Sequence, residues 1–200
     1  MTFGRPERSS LGVPFSCPGG VDMSREPISD WYVLRVSYSR ELKIQSRLAA
    51  MGVRTFVPMI WKEEVSGGKT GRKLVPAVGN LCFVLWDRAS IEEFISSYGE
   101  ESPVHFYWDR TVNSPMVVPH KAMEDFITVA SAIDQDILYI QEVSGKLREG
   151  QEVMVTDGPF KGVRGKVVRI RKSRRVIVEL PGLLAAATTY IPPQALQIID

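Results

Sequence analysis

Cysteine and histidine are scarce in this chain of 200 residues, with two of each. Cys17 and Cys82 lie far apart in sequence, so neither a disulfide framework nor a metal-ligand spacing is available. A reducing, cytoplasmic setting is expected. His105 falls in an aromatic run and His120 at the start of a helical pattern, neither with a cysteine or carboxylate at ligand spacing, which makes both structural. No set of serine, histidine and aspartate converges in the pattern, so the chain is read as a non-enzyme needing no cofactor. No apolar run approaches the roughly 20 residues needed to span a bilayer, and no membrane partner is expected. Residues 1–29, rich in Ser, Gly and Pro, have no signal-peptide core and read as a disordered leader.

Charge of one sign is also lacking overall, since the formal net charge is only +2. That total hides an asymmetry. From Leu147 onward there are nine lysines and arginines against five acidic residues, a local excess of +4, which leaves the rest of the chain at −2. The 44% hydrophobic content is ordinary for a globular protein, and the length suits two small domains.

The first unit is expected over 30–132. Trp31 to Val36 is a β-prone apolar run. Arg40 to Met51 follows as a helix with an apolar stripe at Ile44, Leu48 and Met51, ended by Gly52. Val53 to Ile60 reads as a strand, Ser66 to Gly71 as a hairpin tip, and Leu81 to Trp86 as a central strand. Gly68-Lys69-Thr70 resembles the end of a phosphate-binding loop, but Glu63 stands where that motif needs its first glycine, so a hairpin tip is the better reading. Ser90 with Glu93 reads as a capping box, Val104 to Trp108 as a strand, and Pro119 as the opening of a helix to about Ala132. The order of elements fits an α+β, ferredoxin-like sandwich with helices on one sheet face and the other face free for a partner. Residues 133–146 read as a linker, although Ile137 to Ile140 is apolar enough to pack.

The second unit is expected over 147–200 as a small β-barrel. Val153 and Val155 share one face of a first strand. Asp157-Gly158-Pro159 turns the chain, and Val163, Val167 and Ile170 begin a second strand of nearly period two. Arg175 to Leu180 and Thr188 to Ile191 complete the set. Gly158, Gly162 and Gly165 allow backbone angles or close approaches that a β-carbon would obstruct.

The run Gly150 to Gly162, GQEVMVTDGPFKG, resembles the KOW module, and the ordered blocks Trp31-Tyr32-Val33-Leu34, Phe56-Val57-Pro58-Met59 and Leu81-Cys82-Phe83-Val84 resemble the N-terminal domain of the NusG family. General members of that family place a Phe-Pro-Gly-Tyr-like segment before the central strand, where this chain has Ala77-Val78-Gly79-Asn80-Leu81. Leu74 to Val78, Asn80 to Val84 and the tract Ala186 to Pro193 are more similar to UpxY/RfaH-type antiterminators of polysaccharide operons. The resemblance implies a transcription elongation or antitermination factor that suppresses pausing or termination on long, capsular polysaccharide operons. It implies docking on the clamp helices of the largest RNA polymerase subunit.

Candidate site residues follow. Phe56, Leu81 and Phe83 are expected on the free sheet face that meets polymerase. Arg40, Lys43 and Arg47 share one side of the first helix and, with Tyr38, are expected to contact nontemplate DNA. A solvated helix face is the plain alternative. Phe160, Lys161, Arg164 and Leu183 mix apolar and basic character near turns and are expected to meet a ribosomal protein or a termination factor. The rival reading is an RNA-binding or ribosome-associated structural protein, carried by the basic run Arg169, Arg171, Lys172, Arg174 and Arg175.

Overall fold

A computed structural model describes residues 29–66, 69–141, 150–170 and 173–199. The expected leader up to residue 28, Gly67-Gly68 of the hairpin tip, Ser144-Gly145 and Arg171-Lys172 lie outside the described residues. The elements in order are β1 (Asp30–Val36), α1 (Glu41–Ala50), β2 (Arg54–Phe56), β3 (Met59–Ser66), β4 (Lys69–Pro76), β5 (Leu81–Trp86) and α2 (Arg88–Ser96). They continue with β6 (Val104–Phe106), β7 (Trp108–Asp109), β8 (Ser114–Pro115), β9 (Val117–Val118) and α3 (His120–Ala130). The last six strands are β10 (Leu138–Ile140), β11 (Gln151–Val155), β12 (Arg164–Ile170), β13 (Ser173–Leu180), β14 (Leu184–Ala187) and β15 (Leu196–Ile198).

The first sheet runs β2-β5-β1-β6, with β9 also paired to β1. Alternation sends Tyr32, Leu34, Val36, Cys82 and Val84 to one face, where they pack with Ile44 and Leu48 of α1 and Ile91 and Phe94 of α2. Trp31, Val33, Leu81 and Phe83 go to the other face, where Met123 and Phe126 of α3 cover them. The expectation of one bare face is therefore corrected. Both faces are covered, which is why β1 and β5 read as continuous apolar runs rather than alternating ones.

Local boundaries also shift. The expected strand Val53 to Ile60 is two, because Val57-Pro58 breaks pairing and Pro58 offers only its carbonyl, which accepts from the Ala77 N–H at 2.8 Å. β3 and β4 form a separate two-stranded ribbon. The cap of α2 is Asp87, not Ser90: the Asp87 carboxylate accepts the Ser90 N–H at 2.9 Å, placing Ser90 inside the helix.

The second sheet is antiparallel, in the order β10-β14-β13-β12-β11-β15. Among the described residues its end strands β10 and β15 are not paired with each other, so closure of the expected small barrel is not shown. Part of the expected linker, Leu138–Ile140, is its edge strand. The fourth strand is the alanine run of β14 rather than Thr188 to Ile191. Alanine has weak strand propensity, but residues 185–187 are fully buried on both faces, where small side chains fit. Gly165 is required sterically, since a Cβ there would collide with the Ile177 carbonyl across the β12–β13 pair.

α3 packs on β1 of the first sheet and on β13 and β14 of the second. One hydrophobic cluster accordingly runs from Trp31, Phe83 and Phe126 to Val153, Val176 and Leu180. Tyr139 of β10 reaches back across it: its hydroxyl donates to the Ala130 carbonyl at 3.3 Å and its ring meets Phe126 edge-on at 6.5 Å. Arg175 is buried and ties the segment after α3 to the second sheet, donating to the Asp136 carboxylate at 2.6 Å and to the carbonyls of Asp136 and Thr188.

Candidate nucleic-acid interface

The segment between β1 and α1 holds two consecutive non-glycine residues in left-handed backbone, Tyr38 at φ 61° and Ser39 at φ 51°. Tyr38 is 79% exposed, and the Arg40 guanidinium lies 5.3 Å from its ring centroid. α1 then turns Glu41, Ile44 and Leu48 inward and leaves Lys43 and Arg47 outside. The expected basic edge thus exists, with an aromatic ring at its head. It is not uniform. Arg47 lies over the rings of Tyr98, at 4.5 Å, and Phe94, at 5.4 Å, and so joins α1 to α2, whereas Arg40 and Lys43 face solvent.

Two residues that the basic-face pattern passes over complete the corner. Glu41 is only 3% exposed, and its carboxylate accepts the Asn80 N–H at 2.5 Å. Asn80 is itself left-handed, at φ 66°, and its carbonyl accepts the Val36 N–H at 2.9 Å. The only sequence signal was a lone acid in the first turn of a helix, which any helix dipole would favour.

The other candidates are placed differently. Phe83 is fully buried and Leu81 nearly so, while Phe56 is half-buried with its ring edge-on to Phe126 at 6.3 Å. Expected as an exposed polymerase-facing group, Phe83 and Leu81 are instead core, because α3 covers their face of the sheet. In the second sheet, Phe160 is buried and Leu183 packs against the shared cluster, whereas Lys161 and Arg164 are exposed. Arg164 lines an open cleft of about 670 Å³ together with Lys121, Asp125 and Glu152. Of the expected basic run, Arg175 is not a surface cation at all.

Ionisation follows these environments. Burial, aided by the nearby Glu41 charge, pushes the Cys82 thiol up to about 12. Burial likewise raises the Tyr139 hydroxyl to about 12. The hydrogen bonds from Ser90 hold the Asp87 carboxyl below its ordinary value. Among the described residues no group of His, Cys, Asp or Glu could hold a metal ion, and no helix is long and apolar enough to cross a membrane.

Residues 29–127 match the family described as transcription termination factor nusG, and residues 149–179 match the KOW motif. The chain therefore carries a NusG-type domain joined to a KOW motif. The pairing supports a relation to the NusG family of transcription elongation and termination factors, whose members are non-enzymatic and bind RNA polymerase. Among solved structures, one described as domain interaction in Thermotoga maritima NusG is 19% identical, with a TM-score of 0.43 over 86% of this chain and 98% of that one. No curated protein matches.

Proposed function

We propose that this protein is a specialised elongation factor of the UpxY/RfaH type, which suppresses pausing or termination on particular long operons such as those for capsular polysaccharide. The observation that carries the reading is the exposed corner of Tyr38, Arg40 and Lys43 on a NusG-type domain. Cations on one helix side suit phosphates of an unpaired nontemplate strand, and an aromatic ring beside them suits its bases. Arg47 contributes from its place over Tyr98. Docking on the clamp helices of the largest polymerase subunit supplies the second attachment. There Phe83 and Leu81 act as the packed support of the sheet and the half-buried Phe56 offers the contact edge. Binding across the cleft favours the processive state through differential affinity, without chemistry. Lys161 and Arg164 are the exposed groups through which the second sheet meets a ribosomal protein or a termination factor, with Phe160 and Leu183 joining only if the two sheets part.

The test is recruitment to halted elongation complexes across a salt series. Arg40→Ala and Lys43→Ala should each weaken binding and reduce the slope of log affinity against log salt by about one unit. Wild-type recruitment that is insensitive to salt, or unchanged in both variants, rules out the nontemplate-strand contact. Equal recruitment to a native and a scrambled pause sequence limits that contact to phosphates.

A further inference from the structure

We propose that Glu41 is the positioning residue of a nucleobase-stacking platform whose surface is the Tyr38 ring. The proposal deepens the nontemplate-strand reading and rests on it. Its starting point is the exposed ring: Tyr38 stands 79% in solvent, carries the Arg40 guanidinium at 5.3 Å, and precedes the exposed Lys43 by little more than a helical turn. A flat aromatic flanked by cations suits an unpaired base and its phosphates better than it suits an apolar protein surface, because stacking tolerates any base and the cations favour a polyanion.

What holds that ring out is unusual. Tyr38, Ser39 and Asn80 are three of the four described non-glycine residues with positive φ, and all three meet in this corner. Such backbone persists only where its surroundings over-determine it. Here the chain enters the turn with the Val36 N–H on the Asn80 carbonyl, at 2.9 Å, and the Ser37 N–H on the Pro103 carbonyl, at 2.8 Å. It leaves the turn with the Glu41 carboxylate on the Asn80 N–H. Asn80 is thus gripped from both sides of the Tyr38-Ser39 turn. The exit grip is a carboxylate withdrawn from water, an expensive group to bury without a partner. Fixing the turn in advance means that the ring loses little freedom when a base stacks on it. Glu41 acts through Tyr38 and touches no nucleotide.

The experiment uses the full chain and halted polymerase elongation complexes in which an abasic site is scanned through the unpaired nontemplate strand. Wild type should show a position where loss of the base weakens binding on the order of tenfold. Tyr38→Ala and Glu41→Ala should bind every complex at that weakened level and not sense the abasic site, with the salt slope unchanged because the phosphate contacts remain. Glu41→Gln, whose amide oxygen can still accept the Asn80 N–H, should restore the discrimination, a rescue that loss of folding would not allow. If circular dichroism shows Glu41→Ala to be unfolded, Glu41→Asp, one methylene short of Asn80, takes its place with the same expectation. Discrimination that survives Glu41→Ala or Glu41→Asp, or that Glu41→Gln loses equally, overturns the role of Glu41. Salt-dependent wild-type binding with no abasic-sensitive position overturns the platform while leaving the phosphate contact standing. No binding to any complex overturns both.

Discussion

At the residue scale, the Arg47 guanidinium lies over the rings of Tyr98, at 4.5 Å, and Phe94, at 5.4 Å, while Arg40 and Lys43 stay in solvent. Arg40, Lys43 and Arg47 are spaced alike, yet only the fold carries Arg47 onto Tyr98 and Phe94, because α2 returns beside α1. Asp87 and Ser90 show the same limit. Both are good capping residues, and the choice between them depends on where the chain leaves β5. Asp87→Ala should destabilise the protein by about 1 kcal/mol in urea denaturation, whereas Ser90→Ala should be close to neutral. The Asp87 carboxyl is held below its unfolded value of 3.8, so its contribution is present above that pH and is lost as pH falls through the lower folded value. The gap between wild type and Asp87→Ala should therefore narrow in acid. A gap that persists undiminished well below pH 3.8 would assign the effect to something other than the ionised cap.

At the element scale, most helices and strands were legible from periodicity, while the packing partner of each face was not. α3 has an apolar stripe, but the stripe alone does not say which sheet it covers. Its placement over Trp31 and Phe83 converts an expected interface into core. Phe83 lies against Phe126 at a centroid separation of 5.8 Å and is fully buried. Phe83→Ala should cost about 3–5 kcal/mol in equilibrium unfolding, as large-to-small changes of buried aromatics do. A variant that keeps wild-type stability and loses only polymerase binding would return Phe83 to the surface role first expected of it. β14 was missed for the opposite reason, since three alanines carry no strand signal until two neighbouring strands and two packed faces enclose them.

At the scale of the whole molecule, the two sheets share one hydrophobic cluster through α3, and Tyr139 and Arg175 fasten the segment between them. Within the expected linker, Leu138–Ile140 is a strand of the second sheet, as its apolar character allows. The chain should therefore unfold in one calorimetric transition. Tyr139→Ala removes both the hydroxyl donated to Ala130 and the ring against Phe126, and should lower the midpoint or split the transition in two. Two resolved transitions in wild type would mean that the shared cluster does not couple the sheets. The same coupling bears on division of labour: cutting after residue 132 exposes the side of α3 that packs on β13 and β14, so a truncated first domain tests function fairly only once it is shown to fold.

By itself the sequence determined the NusG-type and KOW resemblances, the inward valines of the second sheet and the basic side of α1, because each is written in local spacing or in an ordered motif. Only the tertiary structure decided that both faces of the first sheet are closed, that Arg175 is an internal tie rather than a surface cation, and that Glu41 grips Asn80 beneath an exposed Tyr38. The reason is physical. Periodicity reports which side of an element avoids water, whereas burial, pairing and the fate of a charge depend on elements that arrive from tens of residues away.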